Sequence, residues 1–225
     1  MFDAVLFDCD GVLINSMPYH VKAWQTVLKS YGIEVKPEWI LLGEGRKAEE
    51  LATEILARFE LRISEDEIGK LVGHKQDTYR KILQVKPEPG ISVLLEQIKT
   101  NGWSTAIVTG SSRKNPVHGL GEDIVSQFDI LLGGEDVTAG KPSPECYLKA
   151  AGLLHARPEN CLVVENAPLG IQAAKQAGMT VIALRTTLHE SYLGNADFIY
   201  ADLQDLSSNW ESFFAAVVAH VQATA

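Results

Sequence analysis

Apolar residues fall along this chain in two rhythms. Short, mostly unbroken runs occur at Ala4-Val5-Leu6-Phe7, Thr105-Ala106-Ile107-Val108 and Ile130-Leu131-Leu132, and again at Cys161-Leu162-Val163-Val164, Thr180-Val181-Ile182-Ala183-Leu184 and Phe198-Ile199-Tyr200. Runs without polar alternation predict strands buried on both faces, as in the interior of a parallel sheet. Between several of them the period changes to that of a helix. Ile91, Leu94, Leu95 and Ile98 recur at i, i+3, i+4 and i+7, and Asn101-Gly102 stops that stretch. Ile171, Ala174 and Ala177 repeat the pattern before Gly178. Strands alternating with helices predict an α/β fold with a doubly wound parallel sheet.

Residues 16–83 break the alternation, with no strand and only helical periodicity. Trp24, Val27, Leu28 and Tyr31 make one stripe, closed by Gly32, and Ser64-Glu65-Asp66-Glu67 reads as a capping box ahead of Ile68, Leu71 and Val72. An all-helical block between two strands of one sheet is expected to be an inserted α-helical cap domain, with residues 1–15 and 84–225 forming the core. A cap placed just after the first strand can open and close over whatever that strand carries. The apolar stretch at 213–219 is expected to be one side of a terminal helix.

The first strand runs into Asp8-Cys9-Asp10-Gly11. Open α/β sheets put their chemistry at strand carboxyl ends, and two acids one residue apart can divide it: one attacks or binds metal, the other moves a proton. Gly11 permits the sharp turn that follows. Alternation along an extended segment turns Cys9 away from the acids and into the core. The second strand ends in Thr109-Gly110-Ser111-Ser112, a hydroxyl and backbone N–H groups suited to cradling an anion. Two prolines flank the turn at Gly140-Lys141-Pro142-Ser143-Pro144, whose ammonium could neutralise a carboxylate and a phosphate together. A fourth buried run ends in Glu165-Asn166-Ala167-Pro168. Asn166 suits either an oxygen ligand for a hard cation or an N-cap for the helix that Pro168 starts, and the two roles are compatible.

Composition narrows the function classes. A formal charge of −9, with scattered Lys and Arg, argues against a nucleic-acid binder. No apolar run approaches the roughly 20 residues of a membrane span, and no basic leader precedes the first strand. Cys9, Cys146 and Cys161 show no disulfide or zinc spacing and suit a reducing cytoplasm. A monomer or weak homo-oligomer is expected.

Four strand ends carrying Asp-x-Asp, Thr/Ser, Lys-Pro and acid/Asn, in that order, resemble the haloacid dehalogenase superfamily over essentially the whole chain. The position and helical character of the cap, with Asn15-Ser16-Met17-Pro18-Tyr19-His20 and Trp24, resemble its β-phosphoglucomutase-like branch. Glu165-Asn166-Ala167-Pro168-Leu169-Gly170 and Glu44-Gly45-Arg46 are similar to a subgroup that includes bacterial inorganic pyrophosphatases. The resemblance implies a Rossmann-like core, a Mg²⁺ cofactor and a small phosphorylated substrate. It implies Asp8 as nucleophile and Asp10 as general acid/base. Asp8, the Asp10 carbonyl and Asn166 would be metal ligands, with Glu165 acting through water. Thr109 and Lys141 would hold the transferring phosphoryl group, with Gly110 and Ser111 beside it. Many relatives carry a second acid where this chain has Asn166.

In the cap loop Leu42-Gly43-Glu44-Gly45-Arg46-Lys47, Arg46 could grip a second phosphate. Glu44 could hold metal, orient water or remain a solvated loop acid. His20 is expected to face the site by family resemblance. Lys75 could face the substrate too, but is expected to be a solvated helix lysine. Mutases of the branch carry a Lys where this chain has Leu42, and dehalogenases lack the second Asp. The reading is therefore a Mg²⁺-dependent phosphohydrolase acting on a small phosphorylated metabolite or pyrophosphate, with a sugar phosphate mutase or a non-catalytic phospholigand-binding regulator as alternatives.

Overall fold

The computed structural model describes residues 2–215 and residue 217. The chain begins with β1 (Ala4–Phe7) and then runs through four helices: α1 (Met17–Lys29), α2 (Pro37–Leu42), α3 (Ala48–Arg58) and α4 (Glu65–Ile82). It continues with α5 (Ile91–Thr100), β2 (Ser104–Val108), α6 (Lys114–Leu120), α7 (Glu122–Val125) and β3 (Ile130–Leu132). The last part holds α8 (Glu145–Leu153), β4 (Cys161–Glu165), α9 (Pro168–Gln176), β5 (Thr180–Leu184), β6 (Phe198–Tyr200) and α10 (Leu203–Ser208).

The strands form one six-stranded sheet in the order β3-β2-β1-β4-β5-β6, with every pairing parallel. Phe7 pairs with Ile107 on one side and Val164 on the other, so β1, β2 and β4 end level with one another. The first strand is central. At or just past these three ends lie Asp8, Thr109 and Glu165-Asn166, which is how three distant sequence segments reach one place.

Both sheet faces are covered. Val5, Phe7, Ile107 and Val164 join Leu94, Leu95 and Ile98 of α5 on one face, together with Cys9. Ala4, Leu6, Ala106 and Val163 join Tyr147 of α8 and Ile171 of α9 on the other. Each large apolar side chain buried this way contributes about 1.5–3 kcal/mol. Trp210, Phe213 and Val217 close the first face at the carboxyl-terminal end, where 210–215 is helical. Of the expected 213–219 stripe, residues 216, 218 and 219 lie outside the described residues.

Helices α1–α4 carry a separate core, in which Trp24, Val27 and Leu28 meet Ile55, Leu71 and Val72. The capping box at α4 forms as expected: Ser64 Oγ accepts from the Glu67 N–H at 3.3 Å, and the Ser64 N–H donates to Glu67 at 2.9 Å. Acids in the first turn of α4 and Arg80 and Lys81 in its last turn complement the helix dipole. One stripe residue departs from expectation. Helix α1 ends at Lys29, so Tyr31 lies past its end and is exposed rather than packed. Among the described residues no helix is long and apolar enough to cross a membrane.

Candidate active site

Asp8 stands at the end of β1 and is almost wholly buried. Lys141 Nζ donates to Asp8 Oδ1 at 2.6 Å and to Glu165 Oε1 at 2.6 Å, with the Val108 carbonyl at 3.4 Å. The lysine therefore sits between two acids from two neighbouring strands. Burial pushes the Asp8 carboxyl up, the Lys141 charge opposes this, and Glu165 and Asp10 add to it, leaving Asp8 near 7. Burial by itself would lower Lys141, but Asp8 and Glu165 outweigh it and hold the ammonium well above its usual value.

Glu165 is satisfied on both oxygens. Oε1 also accepts from the Tyr147 hydroxyl at 2.9 Å, and Oε2 accepts the backbone N–H groups of Asn166 at 2.9 Å and Ala167 at 3.0 Å. The cap position of α9 is Ala167, with no side-chain capping bond, so the N-cap reading of Asn166 is corrected. The physical reason is that the Glu165 carboxylate already takes the N–H groups at that turn. The Asn166 amide is free for other work: Nδ2 donates to Glu44 at 3.1 and 3.2 Å and to Thr187 Oγ1 at 2.8 Å.

Asp10 is held by three side chains. Ser16 Oγ donates to Oδ1 at 2.5 Å, Ser111 Oγ donates to Oδ2 at 3.0 Å, and His20 Nε2 lies 3.1 Å from Oδ1. Burial would raise Asp10, but His20 and these hydrogen bonds override it and keep the carboxyl well below the usual range. Behind His20, Lys75 Nζ lies 2.7 Å from Nδ1. An ammonium can only donate, so Nδ1 accepts and the ring proton sits on Nε2, where it donates to Asp10. Burial and Lys75 lower the His20 pKa, which agrees with a neutral ring.

Lys75 is thus not a solvated helix lysine. It is buried, 5.4 Å from the ring centroid of Trp24 and 5.3 Å from that of Tyr79, and burial lowers it to about 8. The His20 ring stacks on Tyr79 at 4.0 Å. Contact of α1 with α4 brings the two residues together, a relation that neither segment shows alone.

The loop before α3 lies directly on the sheet ends. Gly45 O accepts the Lys141 N–H at 3.2 Å, and Lys47 Nζ donates to the Val137 carbonyl at 2.6 Å. A Cβ on Gly110 would lie 2.7 Å from Gly45 O, so backbone meets backbone with no room for a side chain. The loop delivers Glu44 to Asn166, and burial, Asp8 and Glu165 raise its carboxyl well above normal. Glu44 is therefore a site residue and not a solvated loop acid. Arg46 pairs with Glu54 at 2.6 Å, leaving its buried Nε without a partner.

Asp8, Asp10, His20 and Thr109 line one cavity of about 570 Å³, as do Glu44, Arg46, Gly110 and Ser111. Lys141, Glu165 and Asn166 lie behind Asp8 rather than on the cavity surface. The opposite wall carries Met17, Trp24, Ile40 and Leu51. Lys114 and the buried Asn115 complete the rim, and Asn115 Oδ1 has no partner. Sequence reasoning missed Ser16, Lys114, Asn115, Tyr147 and Thr187; none of them belongs to the strand-end motifs that it followed.

Among the described residues no three Asp, Glu, His or Cys side chains converge as a closed metal cluster. Mg²⁺ does not need one, because it takes one or two carboxylates and keeps several waters. The observation that fits such an ion is Asn166 Oδ1: fully buried, without a hydrogen-bond partner, in an acid-rich site.

Carboxylates and a lysine gathered at the carboxyl ends of a parallel sheet mark an α/β enzyme. The chain belongs to the haloacid dehalogenase-like hydrolases, whose family model matches residues 5–184. It is 29% identical over 209 residues to validoxylamine A 7'-phosphate phosphatase of Streptomyces hygroscopicus subsp. limoneus, covering 92% of this chain and 96% of the relative. It is 30% identical to a phosphorylated carbohydrates phosphatase of Thermotoga maritima, covering 79% of this chain and 82% of that one. A solved structure from Bacteroides vulgatus, described provisionally as a beta-phosphoglucomutase, matches with a TM-score of 0.85 at 33% identity, covering 96% of this chain and 90% of its own.

Proposed function

We propose that this haloacid dehalogenase-type phosphatase releases phosphate from a small phosphorylated carbohydrate. The observation that carries the reading is the Asp8 carboxylate, gripped by Lys141 on one side and open on the other to a cavity of about 570 Å³. That volume lies within the ~300–1,000 Å³ of small-molecule sites. Its apolar wall of Met17, Trp24, Ile40 and Leu51 suits the carbon skeleton of a sugar or polyol, and the partnerless amide of Asn115 suits a hydroxyl. The relatives named as carbohydrate phosphate phosphatases support the same class.

In this reading Asp8 attacks phosphorus, the bond to the sugar oxygen breaks, and an aspartyl-phosphate forms. Asp10, ionised among its three donors, takes up a proton as substrate binds and gives it to the leaving oxygen; as a carboxylate it then takes a proton from water, which attacks the phosphoenzyme and frees Asp8. Ser16, Ser111 and His20 aim the Asp10 carboxyl, while Thr109 and Ser111 face the transferred group. Asp8, the Asp10 carbonyl and Asn166 would hold Mg²⁺, with Glu44 close by and Glu165 one residue away. The ion would offset the repulsion between the attacking carboxylate and the phosphate. Helices α1–α4 act as the cap, and the buried free cysteines fit a reducing cytoplasm.

The Glu44–Asn166 contact favours a second reading, an inorganic pyrophosphatase, because it places an extra acid where a small, highly charged substrate with its metal would lie. Phosphate release from a panel of sugar phosphates, polyol phosphates and pyrophosphate, with sugar-phosphate isomerisation followed in parallel, separates these readings. A carbohydrate phosphate as best substrate by kcat/KM supports the first. Pyrophosphate as best substrate, or isomerisation without release, overturns it.

A further inference from the structure

We propose that Thr187 is a positioning residue for the divalent ion, holding the Asn166 amide so that Oδ1 is the atom left for a cation. The inference rests on the metal-dependent reading above. Nδ2 of Asn166 has two protons. One meets Thr187 Oγ1 at 2.8 Å, and the other is shared between the two Glu44 oxygens at 3.1 and 3.2 Å. With both protons spent, Oδ1 remains fully buried and without a partner. A buried acceptor left unpaired is costly, and its cost is relieved by a ligand that accepts a lone pair.

The two partners of Nδ2 are unequal. Glu44 meets the amide with both oxygens, at 3.1 and 3.2 Å. Glu44, however, belongs to the helical insertion, whereas Thr187 follows β5 in the sheet. Thr187 is therefore the partner that stands at the end of the same sheet as Asn166 and fixes the amide plane from there. Thr187 is itself braced. Its neighbour Thr186 donates to the Gly11 carbonyl, just past Asp10, and a Cβ on Gly11 would lie 2.6 Å from Thr187 Oγ1. Two consecutive threonines thus tie the turn after Asp10 to the amide of Asn166, the two halves of the ion site. Neither belongs to a strand-end motif, and neither lines the cavity.

The roles of metal ligands depend on such outer contacts, whose removal typically weakens metal affinity or activity about 10–100-fold. The test is Mn²⁺ binding to the full-length protein, measured by calorimetry and by the Mn²⁺ electron paramagnetic resonance signal, without substrate. Thr187→Val keeps the shape and removes the acceptor, Thr187→Ser keeps the acceptor, and Thr187→Ala serves if the valine variant does not fold. We expect the valine or alanine variant to bind Mn²⁺ about tenfold or more weakly. The serine variant should stay within about twofold of the native protein, since it retains the hydroxyl. Native affinity in both the valine and alanine variants overturns the role of Thr187 and leaves the metal reading standing. Native protein that binds no Mn²⁺ overturns the metal reading and this inference with it.

Discussion

Lys141 reaches Oε1 of Glu165 at 2.6 Å, on a carboxylate whose other contacts are the Tyr147 hydroxyl and two backbone N–H groups. Glu165 is thereby committed to holding the lysine against Asp8. Lys141→Met should leave two acids buried without their cation. Breaking one side of a buried charge pair costs about 3–5 kcal/mol. Urea unfolding at pH 7 should show a loss of that order, with part of it recovered in Lys141→Met/Glu165→Gln. Equal stability of the single variant and the native protein would refute this account of the lysine.

Asp8→Asn should abolish steady-state phosphate release while the chain still folds, because the amide keeps the shape and lacks the nucleophile's charge. A residual rate within tenfold of native would exclude covalent attack by Asp8. Far-ultraviolet circular dichroism and the melting temperature check the fold in the same sample.

Lys75 makes a prediction about pH. In the folded chain its ammonium loses its proton near 8, against 10.5 for the unperturbed group. Between those values the unfolded chain binds more protons, so stability rises with pH across that window, and the full cost of burying the charge is present below it. A shift of this size corresponds to about 3 kcal/mol at ~1.36 kcal/mol per pH unit. The difference in unfolding free energy, native minus Lys75→Met, should therefore climb between pH 8 and 10.5. A flat difference would mean the buried amine titrates normally.

Asn166→Asp places a carboxylate where the amide now donates to Glu44 at 3.1 Å. In metal-free protein the two acids repel; a divalent cation removes the repulsion. Added Mg²⁺ should raise the melting temperature of the variant by more than that of the native protein, through preferential binding to the folded state. An equal or smaller rise would remove Asn166 from the ion site.

Gly170 offers a steric test. A Cβ there would collide with the Glu165 carboxylate, so Gly170→Ala should destabilise by about 1–3 kcal/mol and disturb the Lys141 contact. Gly69 in α4 has open space around it, and Gly69→Ala should stabilise by about 0.5–1 kcal/mol. Denaturant midpoints of the pair measure both, and a shift of Gly170→Ala in the stabilising direction would contradict the packing described.

The strands were readable because a doubly buried strand has to be apolar along its whole length, and that leaves a run such as Val163-Val164 plainly visible. Asp8, Thr109 and Asn166 were readable because each directly follows or lies close to such a run. Lys75 was not, since a lysine on an amphipathic helix looks solvated until another helix covers it, and here α1 brings His20 and Trp24 over it. Tyr147 looks like any aromatic residue on a helix, and its hydroxyl gains meaning only from Glu165 on a different element. Thr187 sits in a turn whose composition resembles any other turn. Tyr31 shows the opposite error, where helical spacing continued past the point at which the helix ended.

The cavity divides its walls between two separately packed parts of the chain. Asp8 and Thr109 stand at strand ends fixed by the sheet, while Met17, Trp24, Ile40 and Leu51 come from helices α1–α3, which have a core of their own. A library at Met17, Ile40 and Leu51 would vary the substrate wall alone, whereas a change at Trp24 would travel through Lys75 and His20 to Asp10.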